Sequence, residues 1–218
     1  MFNLKDKLAE YVNILASKAI TGINVPEPDI WNAKIAGESY ITPNLRAKII
    51  GAYVLDEKEN NENSCVYINA TDKQAIIWYR GTANMNDVKN DAEMVLDVQW
   101  IDPRIKNALE TYDTVQRNYQ GYAIRVCWHS LGGTISYIVA KHRNPARCVA
   151  FNPGVRGSTF FLQMLEDTIR HKDWAKNTYT YKILWDIVSM PAFVGHTKVF
   201  TIKANDPLAL HSMDNFLK

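Results

Sequence analysis

Residues 122–140 read YAIRVCWHSLGGTISYIVA. The run that ends at Trp128 is apolar and β-branched, which is typical of a buried strand, and a helix-forming segment begins at the glycine pair without a linker. A serine at this junction, Ser130, would project beyond the carboxyl end of the strand, at the N-terminus of the helix. Gly132 and Gly133 allow so tight a turn. The stretch therefore predicts a strand–serine–helix unit.

Ser130 has two interpretations. Serine is a common helix N-cap, and that role alone would explain its position. The alternative is a nucleophile, because the backbone N–H of Leu131 would point at an oxyanion formed on a substrate that acylates Ser130. An isolated serine-x-glycine would favour the cap, whereas the whole HSLGG turn between a strand and a helix favours the nucleophile.

Strands and helices alternate on both sides of this unit. The early strands are short and rich in β-branched and aromatic residues, and a polar hairpin tip, DEKENNEN, separates the first two. We predict strands at 47–55, 64–70, 74–80, 122–128, 147–152, 178–185 and 198–203, and helices at 1–20, 104–119, 131–143, 158–172 and 207–217. This order predicts an α/β fold with a mostly parallel central sheet, antiparallel N-terminal strands and flanking helices.

Length and composition favour one globular domain. The chain has 218 residues, of which 47% are hydrophobic and 22% charged, so it can bury a core and is not intrinsically disordered. We predict a single domain over 1–218, with residues 1–40 as an N-terminal helical cover. The net charge of only +2 argues against nucleic acid as a partner, and nothing indicates an oligomeric state.

The cysteines and the N-terminus bear on location and cofactors. Three cysteines, Cys65, Cys127 and Cys148, are too few and too widely spaced for a disulfide framework or a zinc site, which favours a reducing compartment. The N-terminus has charges where a signal peptide needs an apolar run, and no segment has about 18 consecutive apolar residues. We therefore expect a cytoplasmic protein with no metal and no organic cofactor.

Four blocks, in order, resemble the lipase class 3 (fungal lipase-like) family of α/β-hydrolases. They are IIWYRGTANMNDVKND at 76–91, VCWHSLGG at 126–133, AFNPG at 150–154, and YKILWDIVSMP at 181–191 followed by GHTKVF. HSLGG together with RGT is the more specific part, and the resemblance covers roughly residues 45–218. It implies the α/β-hydrolase fold, hydrolysis of carboxylic esters of lipids (acylglycerols or phospholipids), and transient contact with a membrane or lipid surface.

A serine nucleophile needs a histidine base, which in α/β-hydrolases comes last in the chain order serine, acid, histidine. His142 lies on the predicted nucleophile helix and His171 at the end of a charged helix, so both suit a solvated face. His196 and His211 remain. The resemblance favours His211, because LALHSMDNF matches the family's late ending and follows the last strand, from which a loop can return to the sheet.

Asp186 is the favoured acid, because it ends the apolar strand YKILW and begins a segment that resembles the family's D-x-V-P. Asp206 precedes Pro207 and suits a helix N-cap, and Asp214 suits a helix surface. The resemblance assigns the oxyanion contacts to Thr82, through its backbone N–H and hydroxyl, and to the backbone N–H of Leu131.

Trp128 departs from the family pattern. The family's elbow is G-x-S-x-G, and Trp128 stands at the first glycine position, where an indole must find a pocket of its own or push the helix outward. The sequence therefore supports two functions. The first is a serine esterase or lipase; the second is a catalytically impaired lipase-like domain that binds a lipid or a protein partner. The segment DVQWIDPRI at 97–105 could cover a site as a lid, although an ordinary core-facing connection is favoured.

Overall fold

The computed structural model describes residues 20–38, 40–81, 101–130, 132–154, 166–167, 170, 172–184, 186, 195–202 and 210–217, with the side chains of residues 20, 101 and 102 excepted. The strands are β1 Ile20–Thr21, β2 Ile49–Ile50, β3 Tyr53–Leu55, β4 Ser64–Asn69, β5 Gln74–Tyr79, β6 Ala123–Ser130, β7 Arg147–Pro153, β8 Thr178–Ile183 and β9 His196–Thr201. The α-helices are α1 Asp29–Glu38, α2 Ile101–Asn118, α3 Gly132–Arg143 and α4 Asp173–Lys176, and short 3₁₀ helices span Pro43–Leu45, Glu57–Glu59 and Met213–Phe216.

The nine strands form one sheet in the order β1-β9-β8-β7-β6-β5-β4-β3-β2. Strands β2 to β5 pair antiparallel, and β5 to β9 pair parallel in chain order, with β1 parallel to β9 at the far edge. The predicted fold class is confirmed: a mostly parallel sheet with antiparallel N-terminal strands and flanking helices. Strands β5, β6, β7 and β8 all end at one edge, called the carboxyl edge below.

The two faces of the sheet carry separate cores, because successive strand residues point to opposite faces. Ile77, Val126 and Ala150 pack with α2, α3 and α4 on one face. Ile76 and Cys127 belong to the core of the other face, with α1 and the 3₁₀ helix Met213–Phe216. The sheet is thus covered on both sides by the described helices, as parallel strands require.

Two predicted elements differ in the structure, and one helix lies where no individual helix was predicted. The strand predicted at 47–55 is a hairpin of β2 and β3, because Gly51 turns the chain at a φ of 59° and a Cβ there would lie 2.4 Å from the Trp31 ring. Helix α1 lies within the range predicted as a helical cover, although no separate helix was predicted there; it starts directly after Pro28 and buries Ala33 and Ile35. In the predicted final helix, the described residues 210–217 contain a 3₁₀ helix and no α-helix.

Some predictions lie outside the described residues, namely the helix at 1–20 (apart from Ile20, which is in β1) and most of the helix at 158–172. The single domain over 1–218 and the helical cover at 1–40 stay predictions for the same reason. No helix in the described part of the chain is long and apolar enough to span a bilayer.

Candidate active site

Ser130 is the last residue of β6 and has a φ of 57°, in the left-handed region that side chains other than glycine rarely adopt. The pairing of β6 with β7 shifts at this point, and the N–H of Gly154 donates to the Ser130 carbonyl oxygen at 2.8 Å. Helix α3 begins two residues later, at Gly132. The register shift and the positive φ turn the chain at Ser130, at the carboxyl edge, as in the strained turn of a nucleophilic serine.

Three side chains that are far apart in the sequence meet beside this turn. The His211 ring lies between two oxygens: its Nε2 is 2.8 Å from Ser130 Oγ, and its Nδ1 is 2.8 Å from Asp186 Oδ2. Asp186 and His211 are fully buried, and Ser130 is 4% exposed. Such an arrangement can take the proton of the hydroxyl onto the ring while the carboxylate stabilises the resulting imidazolium.

The competing candidates lie elsewhere. His196 is the first residue of β9, at the opposite end of the parallel strands; it is exposed, and its ring stacks on Tyr179 with centroids 5.0 Å apart. His142 is exposed on α3, and Asp214 is exposed on the 3₁₀ helix Met213–Phe216. His171 and Asp206 lie outside the described residues. Among the described candidates, only His211 is within hydrogen-bond distance of Ser130, and only Asp186 is within hydrogen-bond distance of the His211 ring.

Thr82 and Leu131, the predicted oxyanion contacts, also lie outside the described residues. Their neighbours Gly81 and Gly132 are described and lie close together. A Cβ added to Gly81 would be 2.9 Å from the His129 carbonyl oxygen, 3.2 Å from the Gly132 nitrogen and 3.4 Å from Ser130 Cβ. The chain after β5 therefore contacts the serine turn so closely that only glycine fits at position 81.

The Trp128 indole is accommodated in the core. Its side chain is 1% exposed and belongs to the core between the sheet and the helices α2 and α3. A Cβ on Gly133 would lie 3.2 Å from the indole Nε1, so the missing side chain at Gly133 provides part of the room. β6 keeps its register on both sides, with Trp128 opposite Tyr79 on β5 and opposite Ala150 on β7. The indole is accommodated without interrupting the sheet.

Two buried residues near the cluster were not singled out from the sequence. His129 Nε2 is 2.7 Å from the His211 carbonyl oxygen, and its Nδ1 forms a short hydrogen bond with the Tyr40 hydroxyl. Asn152, at the end of β7, donates from Nδ2 to the Leu210 carbonyl oxygen at 2.7 Å. His129 belongs to the HSLGG block and Asn152 to AFNPG, but their partners are distant in sequence, so no local signal predicts these contacts.

The comparisons with known proteins bear on the fold. No protein-family model matches the sequence, and no curated protein matches it either. Solved structures do match. The Lip2 lipase from Yarrowia lipolytica is 16% identical with a TM-score of 0.56, over 83% of this chain and 81% of that chain. A triacylglycerol lipase from Penicillium expansum is 14% identical with a TM-score of 0.50, over 83% and 81%.

The protein has the fold of fungal lipases. A further structure, described as a fungal lipase, agrees at 15% identity and a TM-score of 0.51, over 84% of this chain and 83% of that chain. This is the α/β-hydrolase fold that the sequence predicted. Among the residues described in this α/β-hydrolase fold, no group of three or more histidine, cysteine, aspartate or glutamate side chains could hold a metal ion.

Proposed function

We propose that the protein is a serine hydrolase that cleaves carboxylic esters, with acylglycerol or phospholipid esters as its substrate class. The observation that carries the proposal is the position of the His211 ring, 2.8 Å from Ser130 on one side and 2.8 Å from Asp186 on the other. A serine hydroxyl becomes nucleophilic only when such a base accepts its proton. The lipase fold supports lipid esters as substrates.

The reaction then follows from these groups. Ser130 Oγ attacks the ester carbonyl carbon while its proton passes to His211 Nε2, and Asp186 stabilises the imidazolium through Nδ1. We assign the oxyanion to the backbone N–H of Leu131 and to the N–H and hydroxyl of Thr82. His211 next returns the proton to the alcohol as the carbon–oxygen bond breaks. Finally a water molecule, deprotonated by His211, hydrolyses the acyl–Ser130 ester.

The burial of the acid and the base suits this chemistry. Neither Asp186 nor His211 is exposed, so solvent screens their interaction little. Ser130 lies at the carboxyl edge of the sheet, where open α/β sheets bind their ligands. A substrate that approaches this edge would meet the Ser130 hydroxyl before the base or the acid.

A fluorophosphonate probe tests the proposal. The wild-type protein should form one covalent adduct, and Ser130→Ala should form none. Ser136→Ala is a matched control, because Ser136 is also buried near the start of α3 but has no described partner for its hydroxyl, so labelling should persist. Replacing His211 by Gln should abolish labelling, whereas replacing the exposed His196 should not. If the wild type does not react and short- and medium-chain esters survive, the proposal is wrong.

The second candidate is a catalytically impaired lipase-like domain that binds a lipid or a protein partner. It is favoured by one observation, the tryptophan at position 128 in place of the elbow glycine. Against it stand the intact 2.8 Å contacts beside the buried indole. A large gain in esterase activity in Trp128→Gly would support this candidate.

A further inference from the structure

The segment that carries His211 is held by two buried side chains from neighbouring strands. Asn152, on β7, donates to the carbonyl oxygen of Leu210 at 2.7 Å, and His129, on β6, contacts the carbonyl oxygen of His211 at 2.7 Å. The two acceptors are consecutive backbone carbonyls, one on each side of the His211 side chain. His129 is 4% exposed and Asn152 is not exposed, so water competes little for either bond.

The contacts of His129 define its tautomer. A carbonyl oxygen only accepts hydrogen bonds, so the Nε2 that faces His211 must carry the proton, and Nδ1 must accept from the Tyr40 hydroxyl. Burial, and then the neighbouring His211, lower the pKa of His129 to about 3. Burial also raises the pKa of Tyr40, so that the phenol keeps its proton. Tyr40 in turn packs edge-on against Trp78, with ring centroids 5.6 Å apart.

Asn152 connects the segment that carries His211 to β8, the strand that leads to Asp186. Its Oδ1 accepts the N–H of Ile183 at 2.8 Å, and Ile183 is the last residue of β8. The N–H of Asp186 donates back to the Ile183 carbonyl oxygen at 3.2 Å. Asn152 adopts a φ of 38°, which asparagine tolerates better than most residues. The Asn152 side chain is thus hydrogen-bonded both to the segment that carries His211 and to the strand that leads to Asp186.

We propose that His129 and Asn152 are positioning residues, which hold the backbone on both sides of His211 and so keep its ring between Ser130 and Asp186. The inference rests on the proposed function for its effect on rate, but not for its effect on geometry. Hydrogen bonds to these two consecutive carbonyl oxygens restrict rotation about the φ and ψ bonds of His211, which lie between them. The described residues around His211 form no regular α-helix that would do this instead. A displacement of about 1 Å in such a group can cost about 10²-fold in rate.

Asn152→Gly is the first test, because glycine accepts the φ of 38° and removes both side-chain bonds. We expect kcat to fall about 10- to 100-fold on a p-nitrophenyl ester, with KM unchanged. Asn69→Gly is the matched control: Asn69 is 3% exposed, donates to and accepts from Asp72, and lies at the opposite edge of the sheet. It should lower the melting temperature and leave kcat unchanged.

His129 supplies a second and independent test. In His129→Gln the side-chain amide can take the place of Nε2 and still donate to the His211 carbonyl oxygen, whereas His129→Leu cannot donate. We expect kcat close to wild type in the first variant and about 10- to 100-fold lower in the second. A merely structural role for His129 would not separate the two variants in this way when melting temperatures are equal.

A crystal structure of Asn152→Gly separates failure of this inference from failure of the proposed function. The hydrogen bonds from His129 and Asn152 to the two carbonyl oxygens, called the clamp below, predict that Ser130 Oγ and His211 Nε2 move beyond hydrogen-bond distance in this variant. If the wild type has no esterase activity, the proposed function is wrong. The distance between Ser130 Oγ and His211 Nε2 in Asn152→Gly then decides by itself whether the clamp positions His211. If the 2.8 Å contact persists in Asn152→Gly, the clamp is overturned, whatever the activity. Should that variant not fold, the distance measured in His129→Leu decides.

Discussion

Asp186 Oδ2 and His211 Nδ1 are 2.8 Å apart, and neither side chain is exposed to solvent. Asp186 follows the end of β8, and His211 lies in the segment that precedes the 3₁₀ helix Met213–Phe216. A hydrogen bond between them places the ring proton on Nδ1. The Nε2 lone pair is then directed at the Ser130 hydroxyl, which is the arrangement that a general base needs.

Replacing Asp186 by Asn should lower kcat about 10³- to 10⁴-fold, as loss of the orienting carboxylate does in serine proteases. The amide can donate to Nδ1, which moves the ring proton to Nε2 and leaves no acceptor for the serine proton. Asp214→Asn is the control, because Asp214 is exposed and close to His211 in sequence. The measurement is steady-state ester hydrolysis. Wild-type turnover in Asp186→Asn would rule out this role for the acid.

Gly81→Ala should reduce ester hydrolysis about 10²-fold. The added methyl group would meet the His129 carbonyl oxygen at 2.9 Å and the Gly132 nitrogen at 3.2 Å, so the serine turn must shift. Gly37→Ala is the control, because the nearest atom there, at 3.0 Å, is the flexible end of the Leu217 side chain. Both variants should be compared in rate and in melting temperature; equal activities would show that the turn tolerates the methyl group.

Trp128→Gly should destabilise the fold by about 3–5 kcal/mol, because it leaves a cavity where a fully buried indole packs. We expect no gain in turnover per folded molecule. Trp128→Phe should cost far less, since it keeps most of the volume and removes an Nε1 donor that has no described partner. Urea unfolding and active-site titration measure the two effects. Unchanged stability with much higher activity would instead support the impaired domain.

The stability of the protein should fall in mild acid through His129. Its pKa in the folded state is about 3, below the ordinary histidine value of 6.5, because burial and the nearby His211 disfavour the charged ring. Between these two pH values the unfolded chain binds a proton that the folded chain does not, so the free energy of unfolding decreases as pH falls. The stabilisation by neutral His129 is complete above about pH 6.5 and is lost progressively toward about pH 3.

His129→Gln removes this titration and leaves the other ionisable groups in place. The free energy of unfolding of the wild type, relative to that of His129→Gln, should therefore decrease from about pH 7.5 to about pH 5. Urea unfolding at several pH values measures it. Parallel pH curves for the two proteins would show that position 129 does not contribute to the acid sensitivity.

Local patterns were sufficient for the central strands and for the fold class. The apolar run before Trp128 forms β6, and α3 begins at the glycine pair as predicted, because both depend on residues adjacent in the chain. The pattern was insufficient at Gly51, where a continuous apolar stretch is broken by a turn that contacts Trp31. It was also insufficient for the predicted last helix. In its described part the chain does not form an α-helix, and the backbone carbonyls of Leu210 and His211 accept hydrogen bonds from Asn152 and His129.

The sequence by itself determined that a serine stands between a strand and a helix, and that an acid and several histidines follow it. Which histidine approaches Ser130 was decided only by the tertiary structure. His196 and His211 both lie downstream, but His196 begins a parallel strand and so lies at the opposite edge from Ser130. The room for Trp128 and the bonds from His129 and Asn152 likewise depend on tertiary contacts, because their partners are distant in the chain and local propensity carries no information about them.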